Sequence, residues 1–345
     1  MKKWYIIPLY MAMLLILSGC WLFLEGRTEN PTAPGSSPQS GLKLQGHIYL
    51  GTTPSGADDD LFNRGLYSIT ASDGKWQQIS PRSIDGVAIS PDGSKLAAGL
   101  LQETGKGSGD PQLAIYDAKN GYKPLKTVFS LEPKGKQQGP QQLTGPAWLN
   151  DNNTLVVSKV GDLYLYDLTK EQGSQKIWPG WVASVSSSEN RVVVATSNGW
   201  DVLNDARKGG YKNDPWTTEI NLIQTPDSSK ISKFSTQTMR PQKIKWSPDG
   251  NKILFVEVGL RSIIETDSLG DGPTIINTSN HKDLILGMKA AAYSPDGNYV
   301  VYAVGEDIRY NGGIWIAQRA GNADSVKLIQ ANLKNVWKID LAWGP

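Results

Sequence analysis

The stretch Trp246-Ser-Pro-Asp-Gly-Asn-Lys-Ile253, which runs into the apolar segment ILFVEV, decides the fold. In a tight hairpin turn, Pro presets φ at the second position, Asp tolerates the third, and Gly accepts the left-handed backbone that closes the turn. The same pattern recurs in Ile89-Ser-Pro-Asp-Gly-Ser-Lys-Leu96 and in Tyr293-Ser-Pro-Asp-Gly-Asn-Tyr-Val300, and each copy is followed by another apolar run. Three such turns with matched flanks predict a repeated β-hairpin unit.

Two less regular copies lie between the first and second clear turns. They are Trp148-Leu-Asn-Asp-Asn-Asn-Thr-Leu155 and Val185-Ser-Ser-Ser-Glu-Asn-Arg-Val192, in which turn-forming residues precede an apolar, β-branched run but the Pro and Gly are lost. A second hairpin is predicted downstream of the turns at 113–128, 163–178 and 220–234. Each unit then has four short strands, which is the plan of a propeller blade.

Trp-Ser-Pro-Asp-Gly, followed by a strand with an Ile-Tyr pair and an Asp, resembles the TolB-type repeat of six-bladed propellers. The resemblance covers about 45–345 and is weakest in the two middle blades. Aligning the position after the aromatic or apolar residue gives six equivalent positions: Ser90, Leu149, Ser186, Ser247, Ser294 and Gly344.

The end of the chain indicates how the ring closes. Leu341-Ala-Trp-Gly-Pro345 looks like the first strand of a blade, and three further strands are predicted at the other end, near His47, Gly65 and Trp76. Joining these strands would remove open sheet edges. We therefore predict an all-β, six-bladed β-propeller of four-stranded blades over 45–345, with the last strand closing the N-terminal blade.

The first residues have the order of an export signal. Lys2 and Lys3 precede an apolar run that ends in Leu17-Ser-Gly-Cys20. These last four residues resemble the bacterial lipobox, which implies a signal peptide over 1–19 and a diacylglycerol on the thiol of Cys20. Residues 25–41 are rich in Pro, Gly, Ser and Thr, so 20–44 is predicted to be a lipidated N-terminus and disordered tether. The expected location is the extracytoplasmic face of the cell membrane.

Charge and cysteine content narrow the function classes. The chain has 35 Lys+Arg against 33 Asp+Glu, and a near-neutral protein of this kind is not expected to bind nucleic acid through bulk charge. Cys20 is the one cysteine of the sequence, so no intramolecular disulfide is possible.

Long segments between the second and third strands of several blades indicate a binding face. They cover roughly 51–64, 102–111, 197–218 and 305–313, and long loops carry function more often than the scaffold does. The 197–218 insertion combines aromatic and charged residues suited to stacking on a sugar or anchoring in a protein: Trp200, Asp201, Arg207, Tyr211 and Trp216. The alternative is that these aromatic residues pack the insertion against the propeller rim.

The sequence contains no motif that clearly predicts catalysis or metal binding. Asp58-Asp59-Asp60 could contribute oxygen ligands to calcium, but without a full coordination loop a solvated acidic loop is the simpler interpretation. His47 and His281 are the two histidines, and no serine-hydrolase or zinc motif is present in the sequence. No catalytic residue, metal or cofactor is predicted. Two functions stay open: a binding or scaffold lipoprotein for a protein or envelope carbohydrate, and a propeller glycosidase, lyase or hydrolase acting on the envelope.

Overall fold

The computed structural model describes residues 42, 44–54, 62, 64–101, 113–128, 143–159, 162–170, 174–179, 181–186, 190–197, 218–225, 229–233, 241–257, 262–268, 272, 274–276, 288–304, 312–319, 326–330, 333 and 336–345. All of these residues belong to one unit, Ser36–Pro345.

The regular structure of this part of the chain is entirely β. Its 24 strands are β1 (His47–Pro54), β2 (Gly65–Thr70), β3 (Trp76–Ser80), β4 (Ile84–Ile89), β5 (Lys95–Leu100), β6 (Leu113–Asp117), β7 (Lys123–Val128), β8 (Leu143–Trp148), β9 (Thr154–Lys159), β10 (Asp162–Asp167), β11 (Ser174–Pro179), β12 (Trp181–Val185), β13 (Arg191–Ser197), β14 (Thr218–Gln224), β15 (Ser229–Lys233), β16 (Pro241–Trp246), β17 (Lys252–Glu257), β18 (Ser262–Asp267), β19 (Thr274–Ile275), β20 (Met288–Tyr293), β21 (Tyr299–Val304), β22 (Gly313–Gln318), β23 (Val326–Gln330) and β24 (Val336–Gly344). The described residues contain no helix that is long and apolar enough to span a membrane.

The strands form six antiparallel, four-stranded sheets within the described residues. Blades 1 to 5 are β4–β7, β8–β11, β12–β15, β16–β19 and β20–β23, and the closing blade has the order β24-β1-β2-β3. The first strand of each blade is its inner strand, and the inner strands touch in the ring order β24, β4, β8, β12, β16, β20 and back to β24. The predicted propeller with a shared closing blade is therefore confirmed.

The second strand of each blade is buried on both sides because it packs against two neighbouring blades. In β17, Ile253 and Phe255 pack with blade 3, whereas Leu254 and Val256 pack with blade 5. This double burial explains why the sequence has continuous apolar runs here and not an alternating pattern. Each large aliphatic side chain buried in this way contributes about 1.5–3 kcal/mol to the hydrophobic free energy.

The Ser-Pro-Asp-Gly turns owe their shape to one hydroxyl and one carboxylate. Ser90 Oγ donates to Asp92 Oδ1 (2.6 Å) and accepts the N–H of Lys95 (2.9 Å). Gly93 has a φ of 69°, a left-handed conformation that glycine adopts without steric cost. The turns that begin at Ser247 and Ser294 repeat both hydrogen bonds.

The two irregular copies form the same turn with asparagine as the left-handed residue in place of glycine. The N–H of Leu149 bonds to the carbonyl of Thr154 (2.9 Å), as that of Ser90 bonds to Lys95 (2.8 Å). Asn152 has a φ of 58°, and Asn190 in the other copy has a φ of 52°. Asparagine tolerates this backbone better than other non-glycine residues, so the turn survives the loss of Gly.

Neighbouring turns are hydrogen-bonded to each other around the ring. The N–H of Asp92 donates to Asn152 Oδ1 and that of Asn150 to Asn190 Oδ1, both at 3.0 Å. Arg191 Nη2 continues the series with a bond of 3.0 Å to the carbonyl of Gly250. We call the side of the propeller that carries these turns the turn face, and the opposite side, where the second strands end, the loop face.

Candidate functional site

The six inner strands converge on a central cavity of about 330 Å³ at the turn face. Every inner strand contributes to its wall, through Val87–Ile89, Pro146–Trp148, Val185, Lys245–Trp246, Ala292–Tyr293 and Ala342–Trp343. An engineered apolar cavity of about 150 Å³ holds one benzene molecule, so the central cavity has room for about two groups of that size. It therefore suits inserted side chains or a short segment of a partner, not a folded domain.

Four aromatic side chains of the wall are each held by a hydrogen bond or a cation–π contact. Trp148 Nε1 donates to the carbonyl of Ala88 (3.1 Å), and the guanidinium of Arg191 lies 5.0 Å from the ring centroid of Trp246. Because these rings are immobilised in the folded protein, a ligand would not have to order them on binding.

Tyr293 and Trp343 complete the aromatic wall. The hydroxyl of Tyr293 donates to Glu265 Oε1 (2.8 Å), a carboxylate that also pairs with Arg319 Nε at 2.6 Å. Burial, followed by the charge of Glu265, raises the pKa of Tyr293 far above its ordinary value, so this side chain stays neutral. Trp343 Nε1 donates to the carbonyl of Gln45 at 2.9 Å.

Exposed prolines of the turns line the mouth of the cavity. Pro91, Pro248 and Pro295 occupy the same position in three blades. Pro345, which follows Trp343 and Gly344, occupies the equivalent position in the closing blade. The rim is thus apolar although it is exposed to solvent.

A second cavity of about 320 Å³ adjoins the first. It lies where Leu44–Gly46 meets the turn of blade 5, and Tyr299 is also part of its wall. The two cavities share Ser294, Pro295, Trp343 and Pro345. Together they form one groove from the central axis to the junction of blade 5 and the closing blade.

Lys245 is the one charged side chain in the wall of the central cavity as the described residues define it. Its Nζ lies 3.1 Å from Asp340 Oδ1 and 3.3 Å from Oδ2. Asp340 also accepts the N–H of Val87 (2.9 Å). Burial alone would raise the pKa of Asp340, but the ammonium groups of Lys245 and Lys243 and this backbone bond lower it below its ordinary value.

A second ion pair lies near the first on the inner strands. Lys338 Nζ is 2.6 Å from Asp85 Oδ1, and Lys243 Nζ donates to the backbone carbonyl of Asp85 (3.1 Å). With Lys245 and Asp340, this network joins three ammonium groups and two carboxylates of the described residues. Asp85 and Asp340 are buried, with exposed fractions of 6% and 3%.

The pairing of these two aspartates with lysines is relevant to the alternative that the protein is a glycosidase. Glycoside hydrolysis usually requires two carboxyl groups that face the substrate. Among the described residues, Asp85 and Asp340 are both engaged by lysines and neither belongs to the cavity wall. The same part of the chain contains no group of three or more His, Cys, Asp or Glu side chains placed to hold a metal ion.

A serine and a histidine do meet, but away from the cavity. Ser68 Oγ lies 3.2 Å from His47 Nδ1 and 2.7 Å from the hydroxyl of Tyr122. Ser68 is only 2% exposed and lines neither cavity, so a substrate has no access to its hydroxyl. His47 lies in β1, as the sequence predicts, with its ring centroid 6.5 Å from that of Tyr49.

The residues predicted from the sequence to bind a ligand fall outside the described part of the chain. These are Trp200, Asp201, Arg207, Tyr211 and Trp216. The predicted lipidation site, Cys20, also lies outside it, as do Asp58-Asp59-Asp60 and His281. Trp178, in β11, is half-buried and packs against the core of blades 2 and 3.

The sequence contains a signal for the central cavity, namely the aromatic residues at the start of the repeats. Four of the six repeats begin with an aromatic residue: Trp148, Trp246, Tyr293 and Trp343. The sequence-based prediction uses these residues only to align the repeats. Their equivalent positions in a closed ring place them around one axis.

Comparison with known proteins gives a likeness in structure alone. No family model and no curated protein sequence matches the chain. The crystal structure of TolB from Acinetobacter baumannii is similar, with 17% identity and a TM-score of 0.58, over 86% of this chain and 66% of that one, just under two thirds of its length. A candidate TolB from Agrobacterium tumefaciens gives 13% identity and a TM-score of 0.54, over 88% of this chain and 100% of that one.

A chain of a nidogen/laminin complex is similar at 9% identity and a TM-score of 0.56, over 86% of this chain and 98% of that one. At these identities the likeness establishes the fold and nothing beyond it. Together with the six sheets and the repeated turns, it identifies the described residues as a TolB-like β-propeller.

Proposed function

We propose that the protein is an extracytoplasmic lipoprotein, anchored to the cell membrane through Cys20, whose propeller is a binding or scaffold module for a protein. The order of Lys2, the apolar run and Leu17-Ser-Gly-Cys20 supports the anchor. Two acyl chains hold a protein at a membrane, whereas one chain alone binds only marginally.

The observation that carries the binding function is the central cavity, whose wall, as the described residues define it, combines four aromatic side chains with one lysine. Buried aromatic rings in a concave, apolar site commonly form the energetic centre of a protein interface. The ammonium of Lys245 in the described wall favours a segment that combines an apolar or aromatic side chain with a carboxylate. Lys245 is the group that such a carboxylate would approach.

The competing function, a propeller enzyme acting on envelope carbohydrate or peptide, finds less support. A hydrolase needs a nucleophile or a general acid and base within reach of the substrate. The cavity wall offers serine hydroxyls and one lysine that is paired with a carboxylate. A lysine engaged by a buried carboxylate is poorly placed to act as a general base for a serine hydroxyl.

Site-specific photocrosslinking in the producing cells tests the binding function. A photoreactive phenylalanine derivative at Pro248, on the exposed rim, should give one discrete adduct whose partner can be identified by mass spectrometry. The same probe at Leu125, which is 52% exposed on the outer strand β7, is the matched control. An equal yield of adducts at both positions would contradict a binding site at the cavity.

The lipid anchor is tested separately. Labelled fatty acid should enter the wild-type protein and not the Cys20→Ser variant. Equal labelling of both proteins would exclude acylation at Cys20.

A further inference from the structure

Leu42 and Leu44, which belong to the end of the segment predicted as the tether (20–44), are packed against the propeller at its turn face. Leu44 is buried in the core between the closing blade and blade 5, and Leu42 packs against the same core. The carbonyl of Gln45 accepts from Trp343 Nε1, and that of Gly46 accepts the N–H of Ala71 at 3.1 Å. The tether therefore starts from a defined point on the propeller.

This starting point adjoins the opening of the central cavity. Leu44, Gln45 and Gly46 form part of the wall of the second cavity, whose other wall residues include Pro295 and Trp343 of the central one. The start of the predicted tether and the cavity thus belong to the same face of the propeller.

The length of the tether affects which face of the propeller can lie at the membrane. The 21 residues from Trp21 to Gly41 separate Cys20 from Leu42. A flexible chain of this length has a root-mean-square extension of about 25 Å, against a maximum of about 75 Å. The inner strand β24 has 9 residues, so the turn and loop faces are separated by about 30 Å.

We propose that the turn face is the membrane-proximal face, so that the central cavity opens towards the membrane and takes a segment of a protein held in that membrane. The inference rests on the proposed lipid anchor at Cys20. To bring the loop face to the membrane, the tether must pass around the propeller and stretch beyond its usual extension, which costs conformational entropy. The turn face reaches the membrane without this cost.

Energy transfer from single labelled sites to the bilayer tests the orientation. The full-length protein is purified from membranes and reconstituted into phosphatidylcholine vesicles that contain a trace of acceptor-labelled lipid. Donor dyes are placed by Lys119→Cys on the turn face, or by Arg64→Cys on the loop face. Both side chains are exposed, and the N–H of Ala118 bonds to the Ser94 carbonyl of a turn (2.9 Å), which locates Lys119.

Transfer should be greater from position 119 than from position 64. Equal transfer from both positions, or greater transfer from position 64, would overturn the proposed orientation. Lengthening the tether by 20 Gly/Ser residues after Gly35 is the matched control, and it should reduce the difference between the two donors.

The experiment separates the orientation from the anchor. An acylated Cys20 cannot react with the maleimide dye, so the wild-type protein should remain unlabelled and should float with the vesicles. Labelling of the wild type without flotation would refute the anchor itself, and with it both proposals.

The source of the partner is tested in cells. When residues 1–20 are replaced by the cleaved signal of a soluble exported protein, the adduct at Pro248 should fall severalfold, because the cavity is no longer held beside the membrane. An unchanged yield would show that the partner is not presented from the membrane.

Discussion

Trp343 Nε1 donates a hydrogen bond of 2.9 Å to the carbonyl of Gln45, a residue 298 positions earlier in the chain. The contact lies where β24 pairs with β1, in a register that runs from His47↔Gly344 to Pro54↔Val336. Closure of the ring therefore depends on the pairing of β24 with β1 and on packing between the two ends of the propeller sequence.

Deletion of residues 336–345 should destabilise the whole propeller. The deletion removes Ile339, Leu341 and Trp343 from the core shared with blade 5, and it leaves β1 as an open edge. Thermal melting should occur at a markedly lower temperature and with lower cooperativity. Trp343→Phe keeps an aromatic ring but loses the indole N–H and the buried pyrrole part of the side chain, so it should cost about 2–3 kcal/mol, less than the deletion. A truncated protein that melts like the wild type would contradict closure by β24.

The irregular turns offer a test of backbone conformation at Asn152. Asn152→Ala forces a residue with a Cβ into a left-handed φ of 58° without the asparagine amide, so stability should fall by about 1–2 kcal/mol. Asn152→Gly relieves the backbone strain and should cost less, although it also removes the acceptor for Asp92 N–H. Urea unfolding measures both, and an alanine variant as stable as the glycine variant would contradict the role assigned to φ.

The sequence predicts the architecture well because the turn residues are local signals. Ser90, Leu149, Ser186, Ser247 and Ser294 were aligned from their flanks alone, and in each case the backbone N–H bonds to the carbonyl five residues later. The central cavity was not predicted, because it depends on residues such as Trp148 and Trp343 that meet only after the ring closes. The Lys245–Asp340 pair likewise joins positions 95 residues apart, and neither lies in a recognisable motif.

The ion pair behind the cavity should respond unequally to the loss of its two partners. Asp340 has a side-chain exposure of 4%, against 20% for Lys245. Lys245→Met leaves a buried carboxylate with less compensation and should lower stability by about 2–4 kcal/mol. Asp340→Asn should cost less, because the asparagine oxygen still accepts from Val87 and the ammonium of Lys245 can reach water. Chemical denaturation of both variants checks the order, and the reverse order would contradict this account of the network.

The turn aspartates should make stability depend on acid pH. Burial would raise the pKa of Asp92, but hydrogen bonds from Ser90 and Ser94 outweigh it and lower the pKa to about 2. The unfolded chain has a value of about 3.9, so this stabilisation is complete above that pH and is lost as the pH falls through about 2. The melting temperature of Asp92→Asn should therefore lie below that of the wild type at pH 6, and the difference should vanish near pH 2. A difference that is constant with pH would assign the effect to shape and not to charge.

The loop face carries the remaining prediction, which concerns residues outside the described part of the chain. If Trp200 and Trp216 form a second contact surface, the propeller is a scaffold with one site on each face. Replacing 199–216 by a short Gly/Ser loop should then leave the melting temperature unchanged, because surface loops are thermodynamically tolerant of length changes. The adduct formed by a photoreactive probe at Arg64, on the loop face, should disappear, while the adduct at Pro248 should persist. Trp200→Ala combined with Trp216→Ala tests whether aromatic stacking carries this contact, since the loss of such an anchor typically costs about 2 kcal/mol or more of binding free energy. Shortening 305–311 in the same way is the matched control for loop length alone. If the replaced loop instead removes the Pro248 adduct at full stability, the two faces do not act independently and the scaffold with two sites is wrong.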